Sequence, residues 1–299
     1  MALHLSVLDQ SPVSEGMTPA DAIRNSIDLA RCVEQHGYVR TWVAEHHGTQ
    51  MLAGTSPELL IGLIAAATSR IRVGSGGVML PHYSPLKVAE TFGLLAGLHP
   101  GRIDLGVGRA AGTDPLTAFA LQRDRRHAAP DDFPEQLEEL LAFVRDGFPA
   151  GHRFAGLRNI SSPAEAPTPW LLGSSAQSGA WAAEYGLPYA FADFIAPIGA
   201  GIAQRYRDAF VPSRLQPNPH IIVAVWALVA DTDEEARRLA SSAQVAFLQF
   251  LGGQPIRIPP VDLALHLIEH RPETLQVFAQ RRRAVIGSPR HVRDEIEPI

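Results

Sequence analysis

Apolar positions along the chain recur with two alternating periods. Short runs rich in aliphatic and β-branched residues, LHLSVLDQ from Leu3, TWVAEHH from Thr41, IRVGSGGVML from Ile71 and RIDLGVG from Arg102, have the length and composition of strands. The stretches 18–36, 56–69, 85–98 and 132–147 carry the mixed spacing of amphipathic helices. The alternation goes on with strands at 170–173, 188–192 and 220–230, and helices at 176–185, 198–210 and from Asp233 onward. Three helices open alike, with Thr18, Ser56 or Ser84 as N-cap and a proline next, where a missing N–H breaks no helical bond.

Alternating strands and helices imply a parallel sheet covered by helices, because parallel neighbours need a crossover. Polar residues close several strands: Asp9 and Gln10, Glu45 and His46, Arg109, Ser174 and Ser175. Such ends, spread over many strands, suit one site at a barrel mouth better than the single switch point of a doubly wound sheet. No GxGxxG follows the first strand, and the GSGG at 74–77 lies inside a strand signal, so a dinucleotide fingerprint has little support. The expected fold is α/β, a TIM (β/α)8-type barrel forming one domain over 1–299. Its eighth strand and helix are missing from the pattern, which closes on the helical PRHVRDEI. A variable segment at 245–283 is the only stretch available to fill that gap. Prolines gather at 149–169 and 255–272 and mark loops or insertions.

Composition narrows the partners. Of 299 residues 46% are apolar and 19% charged, enough to bury a substantial core. A net charge of −5 gives no basic field for nucleic acid or anionic lipid, and Arg281, Arg282 and Arg283 are too short a run to change that. The one cysteine, Cys32, excludes an intramolecular disulfide or a cysteine metal cluster. No apolar run is long enough for a membrane helix, and MALHLSVLDQSP lacks the basic start of a signal peptide, so a cytoplasmic protein is expected.

Candidate chemistry lies at the strand ends. Strand alternation points at least one of Glu45, His46 and His47 into a barrel mouth, while adjacent residues on opposite faces make a poor metal pair. A histidine exchanges protons near neutrality, although a hydrogen-bonded structural role is the commoner fate of one. Gly74 to Gly77 let a flat ring approach the backbone, or form a bulge. Arg109 offers forked donors for a phosphate, or a surface ion pair. Ser174, Ser175 and Ser178 surround a helix start, where free N–H groups favour an anion; one of them is equally an ordinary N-cap.

Four blocks together carry a resemblance: AEHH at 44–47, IRVGSGGVMLPHYSPLKVAE at 71–90, GRIDLGVGRAAGTDP at 101–115 and WLLGSSAQSGAWAAEYGLPYAFA at 170–192. In order and spacing they resemble the bacterial luciferase-like family of flavin-dependent monooxygenases. The resemblance runs from Leu5 to Asp294. It implies a TIM barrel, reduced FMN as cofactor and molecular oxygen as cosubstrate, with a flavin C4a-peroxide oxidising a small organic substrate. It also implies a non-prolyl cis peptide at Gly76 and Gly77 beneath the flavin, and phosphate contacts from Arg109, Ser174, Ser175 and Ser178. His46 takes the place of the histidine that handles the proton during oxygen chemistry, with Glu45 and His47 as supports. Met79, Leu80 and Trp226 are candidates for keeping water out, with core packing the simpler role.

One departure bears on the reaction. The aldehyde-oxidising luciferase subunit has a reactive cysteine just before the arginine of the third block, whereas this chain has Gly108, which argues against light emission. Family likeness also implies a separate flavin reductase, and the apolar ELLIGLIAAA and TFGLLAGL suit a homodimer. Three alternatives stand beside the monooxygenase: a deazaflavin (F420)-dependent hydride-transfer enzyme, a non-catalytic flavin-binding protein of the same fold, and a barrel hydrolase or aldolase. The last lacks clustered acidic metal ligands, and Lys87 is its sole lysine.

Overall fold

In the computed structural model, fourteen expected elements form within a few residues of their predicted places. The structure describes residues 4–110, 112–122, 124–127, 131–145, 147–157, 166–196, 199–214, 216–270 and 284–297. The arginines at 281–283 and the last part of the 245–283 segment lie outside them. The order is β1 (Ser6–Asp9), α1 (Pro19–Gln35), β2 (Arg40–Val43), α2 (Pro57–Ala67), β3 (Arg72–Ser75), β4 (Val78–Met79), α3 (Pro85–Leu98) and β5 (Ile103–Gly108). Then come α4 (Pro115–Leu121), α5 (Phe133–Val144), β6 (Thr168–Gly173), α6 (Ala176–Glu184), β7 (Tyr189–Ala192), α7 (Gly199–Ala209), β8 (Ile221–Ala224) and β9 (Trp226–Val229). The last elements are α8 (Asp233–Leu251), α9 (Val261–His270), β10 (Ala284–Gly287) and α10 (Pro289–Ile296).

Strands follow one another in the order β1-β2-β3-β5-β6-β7-β8, with β4 paired to β5. The pairs β1–β2, β2–β3, β3–β5, β4–β5, β6–β7 and β7–β8 are all parallel, as the crossover helices require. The carboxyl-terminal segment read as helix alone contributes more than that. Ala284–Gly287 forms a strand parallel to Trp226–Val229, in a two-stranded sheet apart from the main path, and α10 follows it. The repeated helix start is right in position, but its capping is not uniform. Thr18 accepts from the Asp21 N–H at 3.2 Å while Asp21 accepts from the Thr18 N–H at 2.9 Å. Ser56 and Ser84 make no side-chain cap bond, so proline fixes those two starts.

Backbone contacts divide the chain into two compact units. The first comprises 1–11, 23–48 and 54–170. Its β5 is buried at every position, and Ile61, Ile64, Phe92 and Leu105 fill the space between strands and helices. Inside this apolar frame sits a polar layer. Asp104, sealed from solvent, accepts from Arg40 Nε (3.2 Å), Arg72 Nε (3.0 Å) and Trp42 Nε1 (3.0 Å). Arg40 and Arg72 lie directly opposite each other in the β2–β3 register, so the shared carboxylate offsets two like charges on neighbouring strands.

The second unit comprises 12–22, 49–53 and 171–299. Its core includes Tyr189, Phe191 and Tyr206 from β7 and α7, and Ala236, Ala240 and Ala246 from α8. Two early segments of chain are stitched into it. Glu15 N–H donates to Ile258 O (2.9 Å), Arg257 Nη1 to Met17 O (3.0 Å) and Val13 N–H to Met51 O (2.8 Å).

Candidate active site

Parallel strands end at one edge, and the register sets Asp9, Val43 and Ser75 side by side in the first unit, with Met79 beside Gly108. His46 lies three residues past the end of β2 at this edge. Its backbone N–H donates to Gly54 O (2.8 Å), and its ring Nδ1 stands 3.2 Å from Gly112 O. A carbonyl only accepts, so Nδ1 carries the ring proton and Nε2 keeps a lone pair. Burial pushes the imidazole below its ordinary pKa, against the opposing effects of the Gly112 carbonyl and the Glu45 charge. The ring is neutral at pH 7 and presents a base at Nε2.

Glu45, fully buried, turns the other way. Its Oε1 lies 2.7 Å from His47 Nε2 and accepts from the Tyr83 hydroxyl (2.9 Å), while Oε2 accepts from the Met79 N–H (2.9 Å). Burial and the Glu45 charge hold the Tyr83 phenol far above its usual range, so it stays a donor.

The peptide between Gly76 and Gly77 is cis, as the family resemblance implies. A Cβ at Gly76 would lie 2.5 Å from Leu8 Cδ1 and 3.3 Å from Trp42 Cβ, so a larger residue there would make the end of the Leu8 side chain move. Leu80 is wholly buried and belongs to the core, while Met79 is half-buried beside Gly112. Arg109 pairs with Asp131 through two bonds, 3.2 and 2.5 Å, with its side chain 49% exposed. That is the geometry of a surface ion pair.

The serines belong to the second unit. Ser175 is the N-cap of α6 and forms a reciprocal capping box with Ser178. Ser178 is buried, its hydroxyl donating to Ser175 O (2.9 Å) and sharing a bond with the Tyr189 hydroxyl (2.9 Å). Gly173 makes this possible, since a Cβ there would fall 2.2 Å from Ser178 Oγ. Ser175 is exposed and Ser174 half-buried, and the first turn of α6 holds no acidic residue. An exposed hydroxyl beside first-turn N–H groups fits a flavin phosphate. Trp226, in β9, is half-buried in the same unit.

His46, Gly76, Gly77 and Arg109 thus belong to one unit and Ser174, Ser175 and Ser178 to the other. The pattern did not reveal the partners of Glu45. Tyr83 lies past the end of the expected strand, and Met79 and Gly112 act through a backbone N–H and a backbone carbonyl, which side-chain patterns do not mark. Among the described residues, no group of three or more His, Cys, Asp or Glu could hold a metal ion. Among them, too, no helix is long and apolar enough to cross a membrane.

The crystal structure of apo-MsnO8 superposes with a TM-score of 0.88 and 42% identity, over 99% of this chain and 89% of that one. The fold is the TIM-type barrel of luciferase-like enzymes. Residues 1–298 match the family described as luciferase-like monooxygenase, and the chain belongs to that family of oxidoreductases. The N-acetyl-S-alkylcysteine monooxygenase of Bacillus subtilis (strain 168) is 40% identical over 296 residues, 98% of this chain and 88% of that protein. At 20% identity the likeness is of fold alone with the oxygenating constituent of 3,6-diketocamphane monooxygenase in complex with FMN (TM-score 0.70, 100% of this chain and 88% of that one).

Proposed function

We propose that this enzyme uses reduced FMN and O2 to oxygenate a small organic substrate, with His46 managing the proton. The observation that carries this reading is the neutral His46 ring, its Nδ1–H given to Gly112 and its Nε2 left as a base, at the strand edge that also holds Gly76 and Gly77. Family membership supports it. Reduced FMN, when bound, supplies two electrons to O2, so that one oxygen atom enters the substrate and the other leaves as water.

The protein's part is binding, shelter and proton transfer. Ser175 and the first-turn N–H groups of α6 hold the phosphate, with Ser174 beside them, and Ser178 keeps that turn in shape. Gly76 and Gly77 form the platform for the ring. A separate flavin reductase delivers reduced FMN in the cytoplasm. Thioethers are the first substrates to examine, because a relative at 40% identity is named for N-acetyl-S-alkylcysteine. The working form is a homodimer built on α2 and α3, whose outer faces expose Leu59, Leu63, Leu94 and Leu98.

The test is fluorescence titration of the pure protein with FMN and with F420, followed by reductase-coupled turnover of a thioether panel under ¹⁸O2. Saturable FMN binding and label in a sulfoxide are expected. Binding of F420 alone, or of neither, sinks the proposal.

A further inference from the structure

His46 does not hold its orientation alone, and the residues around it close a ring of contacts. Its Nδ1–H reaches Gly112 O at 3.2 Å. Gly112, at φ +63°, packs close to the Glu45 backbone and the Met79 side chain: an added Cβ would lie 3.0 Å from Glu45 O and 3.2 Å from Met79 Cγ, so a neighbour would have to give way. Met79 is in turn tied through its N–H to Glu45 Oε2 at 2.9 Å. Glu45 is the residue before His46, which closes the circuit. The same carboxylate takes the Tyr83 hydroxyl, so it grips both ends of the 3-10 turn Leu80–His82 that follows β4.

A solvent-free carboxylate with three donors is a firm anchor, because its removal would leave three part-buried donors without that acceptor. We infer that Glu45 is the positioning residue of this site: through Met79 and Gly112 it fixes which ring nitrogen of His46 bears the proton and which is left as the base. The inference rests on the reading of His46 as the proton-handling group. It goes further by assigning that group's tautomer to a residue whose carboxylate is bonded to His47, Met79 and Tyr83.

The groups acting on His46 are few. Glu45 and His47 flank it in the chain. From the turn after β4, Tyr83 reaches it only through Glu45, and His82 only through an edge contact with His47 at 6.1 Å. From the segment after β5 comes the Gly112 carbonyl, while Asp114 is turned to the Leu116 and Thr117 N–H groups and Arg109 to Asp131. Removing the charge at 45 therefore withdraws the one anion among the described residues that favours the protonated ring.

The test needs no cofactor. Long-range ¹H–¹⁵N NMR of the histidine rings, with the His46 signals assigned by their loss in His46→Asn, reads tautomer and titration directly. In wild type and in Tyr83→Phe the Nδ1–H form should dominate. In Glu45→Gln the two tautomers should mix, and the titration midpoint should fall by about half a unit or more. Glu45→Asp, which keeps the charge but shortens the reach, should restore the midpoint and not the single tautomer. It also serves if the glutamine variant fails to fold. Wild-type tautomer and midpoint in Glu45→Gln, or a wild-type tautomer in Glu45→Asp where the glutamine variant does not fold, overturn the inference. Failure of wild type to bind FMN overturns the proposed function instead, and leaves the NMR result to be read by itself.

Discussion

Replacing Gly173 by alanine tests whether the start of α6 holds the flavin phosphate. The added Cβ would lie 2.2 Å from Ser178 Oγ and 2.5 Å from Ser178 Cβ. Rotation relieves the first contact, but the second is to the root of the side chain, so the capped turn itself must shift. Overpacking of this kind costs about 1–3 kcal/mol. If the phosphate binds that turn, the cost appears as FMN affinity weaker by about 5- to 150-fold. Riboflavin has the same ring without the phosphate and is the control. Fluorescence titration with both ligands, alongside thermal unfolding, should show FMN weakened, riboflavin unchanged and a modest drop in Tm. Undiminished FMN affinity, or an equal loss for riboflavin, would refute the placement of the phosphate at this turn.

Other consequences are as direct. Asp104→Asn leaves two half-buried guanidiniums sharing a weakened acceptor, and should cost about 3–5 kcal/mol in denaturant unfolding; a loss under about 1 kcal/mol would show that the polar layer is not a strong tie. Charges placed at Leu63 and Leu98, both exposed on α2 and α3, should turn a dimer into a monomer in analytical ultracentrifugation without loss of Tm in the monomer; an unchanged mass removes that interface. For His46 the sign follows from a folded pKa below the ordinary 6.5. Above that pH both states are neutral; as pH falls through it, the unfolded chain takes a proton that the folded ring refuses, and stability is lost. His46→Asn should flatten this acid-side decline in urea midpoints, and an unaltered slope would contradict the burial of a neutral ring.

Much of the framework was readable in periodicity, because helix and strand faces leave different apolar spacings. α1, α2 and α3 begin at the cap-and-proline pairs; β1, β3, β5, β7 and β8 lie inside the expected runs, and β2 and β6 begin one and two residues before theirs. Ala284–Gly287 was hidden for a physical reason: AVIG is only four residues long, follows three arginines and runs straight into a helix. α4 escaped because its seven residues bury none of their side chains, so no apolar stripe announces it. In the candidate site, the cis peptide at Gly76 and Gly77 was legible through family likeness, and His46 was marked out by its residue type just past a strand end. Asp104 was not, since a lone acidic residue in RIDLGVG reads as a surface charge until Arg40 and Arg72 are seen beside it. Arg109 shows the converse, a residue type right for an anion whose partner in the structure is Asp131.

The membership of the second unit has a consequence for how the chain can be made. Residues 12–22 and 49–53 leave the ribosome long before Ile258 and Arg257, to which Glu15 and Met17 are bonded. During synthesis those early segments wait without their partners, and pairing across 240 positions closes a long loop late. A cut after Trp170 would therefore not release two self-sufficient halves: the carboxyl-terminal fragment would lack two of its own pieces, and would recover them only if the amino-terminal fragment were supplied alongside.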